Sequence, residues 1–134
     1  MFDHISSYAT DYTAAKRFYE AVLSVLGYTL NTEMVAEWDT DFPTRRACAF
    51  GPDGRVMFWV IEVKPENAAT PRHIAFSASN RAEVNAFHEA ALAVGATDNG
   101  APGLRPMYHE HYYGAFVFDP DGNNVEAVCH APEG

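Results

Sequence analysis

Apolar residues recur three or four positions apart in two segments, a spacing that predicts one buried face of an α-helix. The first segment follows Asp11, which suits a helix N-cap, and ends at Gly27. The second starts at Asn80, with Glu83 three residues later as in a capping box, and ends at Gly95. The predicted stripes are Ala15, Phe18, Tyr19, Val22, Leu23 and Leu26, and then Val84, Phe87, His88, Ala91 and Leu92.

Alternating or continuous apolar runs predict the strands around each helix. In the first half they cover residues 2–8, 29–37, 45–50 and 55–63, and in the second half residues 72–78, 112–118 and 123–130. Residues 64–71 are polar, contain two prolines and predict a linker. Residues 98–106 are rich in glycine and proline and predict a loop.

These landmarks repeat along the chain. His4-Ile5 returns as His73-Ile74 after 69 residues, and the Pro-Asp-Gly turn at 52–54 returns at 120–122 after 68 residues. A repeat of half the chain predicts a pair of modules, not a solenoid. We expect one α+β domain over 1–134, built from two βαβββ modules, 1–64 and 72–134. Their mixed sheets should curl into a cup with the helices on the outer face.

The composition excludes several classes of protein. Of 134 residues, 48% are apolar and 20% are charged, as in ordinary globular domains. The net charge of −9 is spread over both halves without a basic patch, which argues against nucleic-acid binding. No apolar run approaches the roughly 18 residues of a membrane span, and no signal peptide is visible, so we expect a cytoplasmic protein. Cys48 and Cys129 lie in apolar strands and are predicted to be reduced core thiols.

Alternation within the strands predicts which side chains face the cup. In the strand 72–78, Ile74 and Phe76 are bulky enough to pack on the helix, so His73 faces the cup. By the repeat, Ile5 packs on the first helix and His4 faces the cup.

The same alternation in the last strand turns Glu126, together with Val128 and His130, toward the cup. His4, His73 and Glu126 are therefore predicted to converge. Two imidazoles and one carboxylate form the ligand set of non-haem Fe(II) sites and of some Zn(II) sites. We expect a divalent cation, with Zn, Fe, Mn and Ni as candidates.

The pattern resembles the vicinal-oxygen-chelate superfamily, which includes glyoxalase I, extradiol dioxygenases, fosfomycin-resistance thiol transferases and related binding proteins. The resemblance covers essentially the whole chain. It rests on His4-Ile5, the Phe18-Tyr19 helix ending at Gly27-Tyr28, His73-Ile74-Ala75-Phe76, and the strand, Asp-Pro-Asp-Gly turn and strand over 113–126. It implies that the metal ligands are the first-strand histidine, the mid-chain histidine and the glutamate after the turn. These positions hold His4, His73 and Glu126.

The chain also departs from each named branch of that family. Glyoxalase I has a fourth ligand, a glutamate; an offset of 68 from Glu126 gives Phe58, and Glu62 lies too far along the strand. Extradiol dioxygenases carry a tyrosine where this chain has Phe116. Fosfomycin enzymes need cations for a phosphonate, and the second half has only three arginines. The chain is therefore predicted not to be a typical glyoxalase I.

Residues 108–113, Tyr-His-Glu-His-Tyr-Tyr, form the densest polar and aromatic cluster. We interpret it as a lip over the cup, with a solvated loop as the alternative. His109 or Tyr113 is the candidate for moving protons. The candidate ligand contacts are Phe58, His111, Phe116 and His130.

Two functions remain open at this point. The first is a metal-dependent enzyme that acts on a small oxygen-chelating substrate, of lyase, dioxygenase or transferase type. The second is a metal-free small-molecule-binding protein that sequesters a drug in the same cup. We expect a homodimer, and the short linker 64–71 leaves open whether the modules pair within a chain or swap between chains.

Overall fold

Each half of the chain forms a four-stranded mixed sheet with one helix on one face. The computed structural model describes residues 1–132. The first half contains β1 (Ile5–Ala9), α1 (Tyr12–Ser24), β2 (Thr29–Val35), β3 (Arg46–Gly51) and β4 (Phe58–Glu62). The second contains β5 (His73–Ser77), α2 (Arg81–Ala93), β6 (Thr97–Leu104), β7 (Tyr113–Phe118) and β8 (Asn124–Cys129). The predicted α+β fold is confirmed.

Both sheets have the same strand order and the same directions. The orders are β1-β4-β3-β2 and β5-β8-β7-β6. The first pair in each sheet is parallel, and the other pairs are antiparallel. The module bounds 1–64 and 72–134 remain a prediction, and residues 133 and 134 lie outside the described residues.

The helix ends follow the signals in the sequence. The Asp11 side chain accepts a hydrogen bond from the Ala14 amide at 3.1 Å, so it caps α1. The Asn80 side chain accepts from the Glu83 amide at 2.8 Å, while the Glu83 carboxylate accepts from the Ser79 amide at 2.8 Å. This reciprocal pairing satisfies backbone donors that the first turn of α2 would otherwise leave free.

One continuous core joins the two modules. The ring of Phe58 on β4 lies edge-on to Phe76 on β5, with centroids 5.2 Å apart, and it also contacts Tyr19 on α1. Burying one such side chain stabilises the fold by roughly 1.5–3 kcal/mol. Cys48 and Cys129 are buried free thiols in this core, as predicted.

The turn between β7 and β8 fastens the second module to the first. The Tyr19 hydroxyl donates to Asp119 at 2.6 Å, and burial raises the pKa of Tyr19 so that the hydroxyl stays protonated. The Thr10 amide and hydroxyl donate to Asp121 at 3.1 Å and 2.8 Å. These bonds hold the modules in one arrangement within the chain.

Some predictions about local structure are wrong. The segment 98–106 is mostly strand β6, because an edge strand with register shifts after Asp98 and Gly100 tolerates glycine and proline. Ile5, predicted to pack on α1, is 45% exposed and lies outside the buried core, whereas Ser7 and Ala9 on the same face of β1 are buried. Leu92 on α2 is likewise 43% exposed.

No helix within residues 1–132 is both long enough and apolar enough to cross a bilayer.

Candidate metal and ligand site

The structure brings two of the three predicted ligands together on the second sheet. His73 begins β5 and Glu126 lies on the neighbouring parallel strand β8, where the register pairs it with Ala75. The imidazole Nε2 of His73 lies 2.8 Å from Glu126 Oε1. The Glu126 side chain is fully buried while the His73 side chain is half exposed. The carboxylate therefore lies at the floor of a cleft and the imidazole at its opening.

We name this opening the carboxylate cleft; it is lined by His73, Tyr108, Tyr112, Phe116, Asn124 and Glu126. Its volume is about 390 Å³. The Phe116 ring lies 6.3 Å from the His73 ring, so this predicted ligand contact does line the cleft.

Tyr112 contacts Glu126 directly, and sequence reasoning missed this residue. Its hydroxyl donates a short hydrogen bond to Glu126 Oε2. The pKa of Tyr112 is raised, mainly by burial and secondly by the hydrogen bond to Glu126, so the hydroxyl remains protonated at neutral pH. A Cβ on Gly114 would lie 3.2 Å from the Tyr112 ring and 3.3 Å from Glu126 Oε2. Glycine at this position therefore leaves the space in which the two side chains meet.

Tyr113 points away from the carboxylate cleft, which corrects its assignment as a proton-moving residue. Its hydroxyl donates to Asn85 on α2 at 2.7 Å, and its ring lies under the Arg81 guanidinium. The signal that separates the two tyrosines is alternation: Phe116 pairs with Glu126, so even-numbered positions of this segment face the cleft.

The other histidines predicted to act at the cup, His109, His111 and His130, lie outside the lining of the carboxylate cleft. The His109 and His130 rings are 5.5 Å apart, and the His130 ring lies 5.3 Å from Tyr112. His111 lies 3.8 Å from the Glu110 carboxylate. His130 is therefore the one of the three whose contact with Tyr112 connects it to the carboxylate cleft.

His4 lies in a different cleft, on the first sheet. This opening, which we name the indole cleft, has a volume of about 550 Å³. Its lining residues are Asp3, His4, Ser6, Met34, Ala36, Trp38, Asp39, Arg45, Ala47, Val56, Trp59 and Ile61. Among the described residues, none lines both clefts. Within residues 1–132 of one chain, no three His, Cys, Asp or Glu side chains gather closely enough to hold a metal.

The register identifies Trp59, not Phe58, as the counterpart of Glu126. In the first sheet Ser6 of β1 pairs with Trp59 of β4, and in the second sheet Ala75 of β5 pairs with Glu126 of β8. Equivalent positions of β4 and β8 are therefore 67 residues apart. Phe58 is 3% exposed and lies in the core, which corrects its assignment as a ligand contact. Glyoxalase I would need a carboxylate at this position. The indole of Trp59 offers none.

The donors on the second sheet suit a divalent cation. Imidazole nitrogen and carboxylate oxygen are common ligands of Zn(II), Mn(II) and Fe(II). The Glu126 carboxylate is fully buried, and a buried carboxylate needs a compensating partner. Two donors are one fewer than a catalytic metal site usually takes from a protein.

Comparisons with known proteins agree with this fold. The profile described as the Glyoxalase/Bleomycin resistance protein/Dioxygenase superfamily matches residues 1–127. A glyoxalase/bleomycin resistance protein from Albidiferax ferrireducens T118 is 26% identical, with a TM-score of 0.78, and the match covers 96% of this chain and 98% of that one. A comparison with curated protein sequences gives no significant match.

Two more distant structures share the fold. A mutant of the fosfomycin resistance protein FosX from Listeria monocytogenes, in complex with Mn(II) and 1S,2S-dihydroxypropylphosphonic acid, is 16% identical with a TM-score of 0.65. That match covers 100% of this chain and 90% of FosX. Lactoylglutathione lyase from Agrobacterium tumefaciens is 20% identical with a TM-score of 0.64, and 96% and 92% of the two chains are covered.

The chain therefore belongs to the Glyoxalase/Bleomycin resistance protein/Dioxygenase superfamily. The family resemblance inferred from the sequence is confirmed.

Proposed function

We propose that the protein is a divalent-metal-dependent enzyme that acts on a small substrate with two adjacent oxygen atoms. The observation that carries this proposal is the contact between His73 and the fully buried Glu126 carboxylate at the floor of an open cleft. The bound metal would chelate the two substrate oxygens and stabilise negative charge that develops on them. The reaction is of lyase, dioxygenase or transferase type.

We further propose that the site is completed by a second copy of the chain. His73 and Glu126 of one copy would face the His4 of the other, so each dimer would hold two equivalent sites. Support comes from the separation of the two clefts and from apolar residues exposed on the strands and loops around them. These include Met34, Val35, Leu104, Met107 and Tyr108, each at least 37% exposed.

The residues of the chain have distinct roles in this proposal. His73, Glu126 and the second copy's His4 would hold the cation. The Tyr112 hydroxyl, fixed on Glu126 Oε2, would hold the carboxylate in one orientation. His109, whose ring lies 5.5 Å from that of His130, is the remaining candidate for moving a proton to or from the substrate.

Metal analysis of protein purified without chelator tests the enzyme proposal. We expect close to one divalent cation per chain in the wild type and none in His73→Ala. Light scattering tests the assembly, because a mass of 14.8 kDa at micromolar concentration would mean a monomer and would contradict the shared site.

One observation favours a second candidate, a metal-free protein that binds a small molecule in the same cup. Both oxygens of Glu126 already have partners within the chain, His73 on Oε1 and Tyr112 on Oε2. The buried carboxylate is therefore compensated without a cation. Protein that remains free of metal after dialysis against Zn(II), Fe(II), Mn(II) and Ni(II) in turn would support this candidate over the enzyme.

A further inference from the structure

The indole cleft has a chemical character of its own. The chain contains two tryptophans, Trp38 and Trp59, and both line this cleft. Met34, Val56 and Ile61 add apolar surface. Trp38 is 73% exposed, and together with these residues it forms a shared apolar surface in one opening, the kind of surface that marks interaction sites. The volume of about 550 Å³ lies within the range of small-molecule sites.

The position of Trp59 gives the two clefts different chemical surfaces. Trp59 occupies on the first sheet the position that Glu126 occupies on the second. Its neighbours in register, Ser6 and Ala49, have small side chains and leave the indole partly open to solvent. The first sheet therefore offers an aromatic surface where the second sheet offers a carboxylate.

Among the described side chains that line the indole cleft, carboxylates outnumber permanent cations. Among the described residues that line it, Arg45 is the one permanent cation. Its Nε donates to Asp39 at 3.0 Å, and it also donates to the Glu62 carbonyl. The guanidinium lies 4.9 Å from the centre of the Phe42 ring, so one of its faces is covered and two of its nitrogens already donate within the chain. The Asp3 and Asp39 carboxylates add negative charge to a chain whose net charge is −9.

We propose that the indole cleft binds a planar aromatic group that is neutral or cationic, in contact with Trp38 and Trp59. Aromatic rings pair favourably with indole, and a cation near an indole face gains further attraction. The inference rests on the proposed function in that the aromatic group would belong to the substrate of the shared site. It deepens that function by naming the substrate class, a flat aromatic molecule without a free negative charge near its ring.

Titration calorimetry in EDTA, with four matched probes, tests this proposal. The probes are 2-naphthylmethanol, 2-naphthylmethylammonium, 2-naphthoate and the saturated decahydro-2-naphthylmethanol. We expect the neutral and cationic naphthalenes to bind, the anion to bind at least about tenfold more weakly, and the saturated alcohol to bind about two- to tenfold more weakly. Because the metal is removed, the result does not depend on whether the metal site exists.

Variants of the two tryptophans locate the binding. Trp59→Ala and Trp38→Ala should each weaken binding of 2-naphthylmethanol by about tenfold. Trp59→Phe, which keeps an aromatic ring, should retain most of it. Leu92→Ala removes an exposed apolar side chain from α2, away from both clefts, and should leave binding unchanged. Because Trp38 is mostly exposed, Trp38→Ala remains informative if Trp59→Ala does not fold.

Four results would overturn the proposal. The first is no binding of any probe at millimolar concentration. The second is equal binding of the anionic and neutral probes. The third is binding that neither tryptophan variant changes. The fourth is a change from dimer to monomer in the tryptophan variants with probe binding intact, because the cleft would then be an interface between copies of the chain.

Discussion

The contact between Tyr112 and Glu126 allows a test with a matched control in the next residue. Tyr112→Phe removes only the hydroxyl that donates to the buried Glu126 carboxylate. A hydrogen bond to a charged group contributes about 1.5–3 kcal/mol, and its loss here leaves a fully buried oxygen without that partner. We therefore expect the free energy of unfolding to fall by about 1.5–3 kcal/mol.

Tyr113→Phe makes the same chemical change in a different setting. The Tyr113 hydroxyl donates to the exposed Asn85, and water can replace either partner. Its removal should cost less than about 0.5 kcal/mol, the usual range for surface substitutions.

Two measurements separate the variants. Urea unfolding of the metal-free proteins gives the difference in stability, and calorimetric titration with Mn(II) gives the difference in metal affinity. Loss of a group that orients a metal ligand typically weakens binding by about 10- to 100-fold, which we expect for Tyr112→Phe alone. Equal effects of the two substitutions on both quantities would refute the role assigned to Tyr112.

Three further predictions follow from the geometry. Gly114→Ala should weaken Mn(II) binding about tenfold, because the added Cβ crowds Glu126; calorimetry checks this. Arg46 donates a hydrogen bond to Glu62 and lowers the pKa of that carboxyl in the folded protein. The ionised Glu62 therefore contributes its full share to the stability of the fold above the unfolded-state pKa of about 4.3, and this contribution is lost as the pH falls through the lower pKa of the folded state. In unfolding measurements across that range, Glu62→Gln should therefore lose less stability than wild type, whereas the exposed Glu89→Gln should behave as wild type. With methylglyoxal, glutathione and saturating Ni(II) or Zn(II), turnover should stay far below roughly 1–10³ per second, and turnover in that range would contradict the argument from the missing fourth ligand.

The local pattern of apolar and polar residues was sufficient to predict the main helices and strands and the closeness of His73 to Glu126. Alternation in two strands turned His73 and Glu126 to the same face, and the structure places them 2.8 Å apart. The caps at Asp11 and Asn80 were readable because each depends on a side chain and an amide three residues away.

The assignment of Phe58 was wrong because it depended on the exact offset between equivalent strands of the two modules. A uniform offset of 68 selected Phe58, but the strand pairing uses 67 and selects Trp59. A shift of one residue reverses the face of a strand position, so a core ring was mistaken for a pocket wall. Tyr113 was selected from the 108–113 cluster without regard to alternation, which turns Tyr112 toward Glu126 and Tyr113 toward α2.

The place of His4 could not be read from the sequence at all. The repeat showed that His4 and His73 are equivalent, yet equivalence does not say whether their sheets form a common cup. That depends on how the modules pack, which bonds such as Tyr19 to Asp119 decide across 100 residues of sequence.

The most direct test of the shared site is metal binding by a mixed dimer of His4→Ala and Glu126→Ala chains. The two chains would carry different affinity tags, so that the mixed dimer is isolated by two purification steps after subunit exchange. If His4 of one copy meets His73 and Glu126 of the other, the mixed dimer contains one intact site, and calorimetry should measure one tightly bound Mn(II) per dimer. Each parent dimer should bind none tightly. A mixed dimer that also binds none, despite proven exchange and despite one tightly bound Mn(II) per chain in the wild-type dimer, would contradict the account.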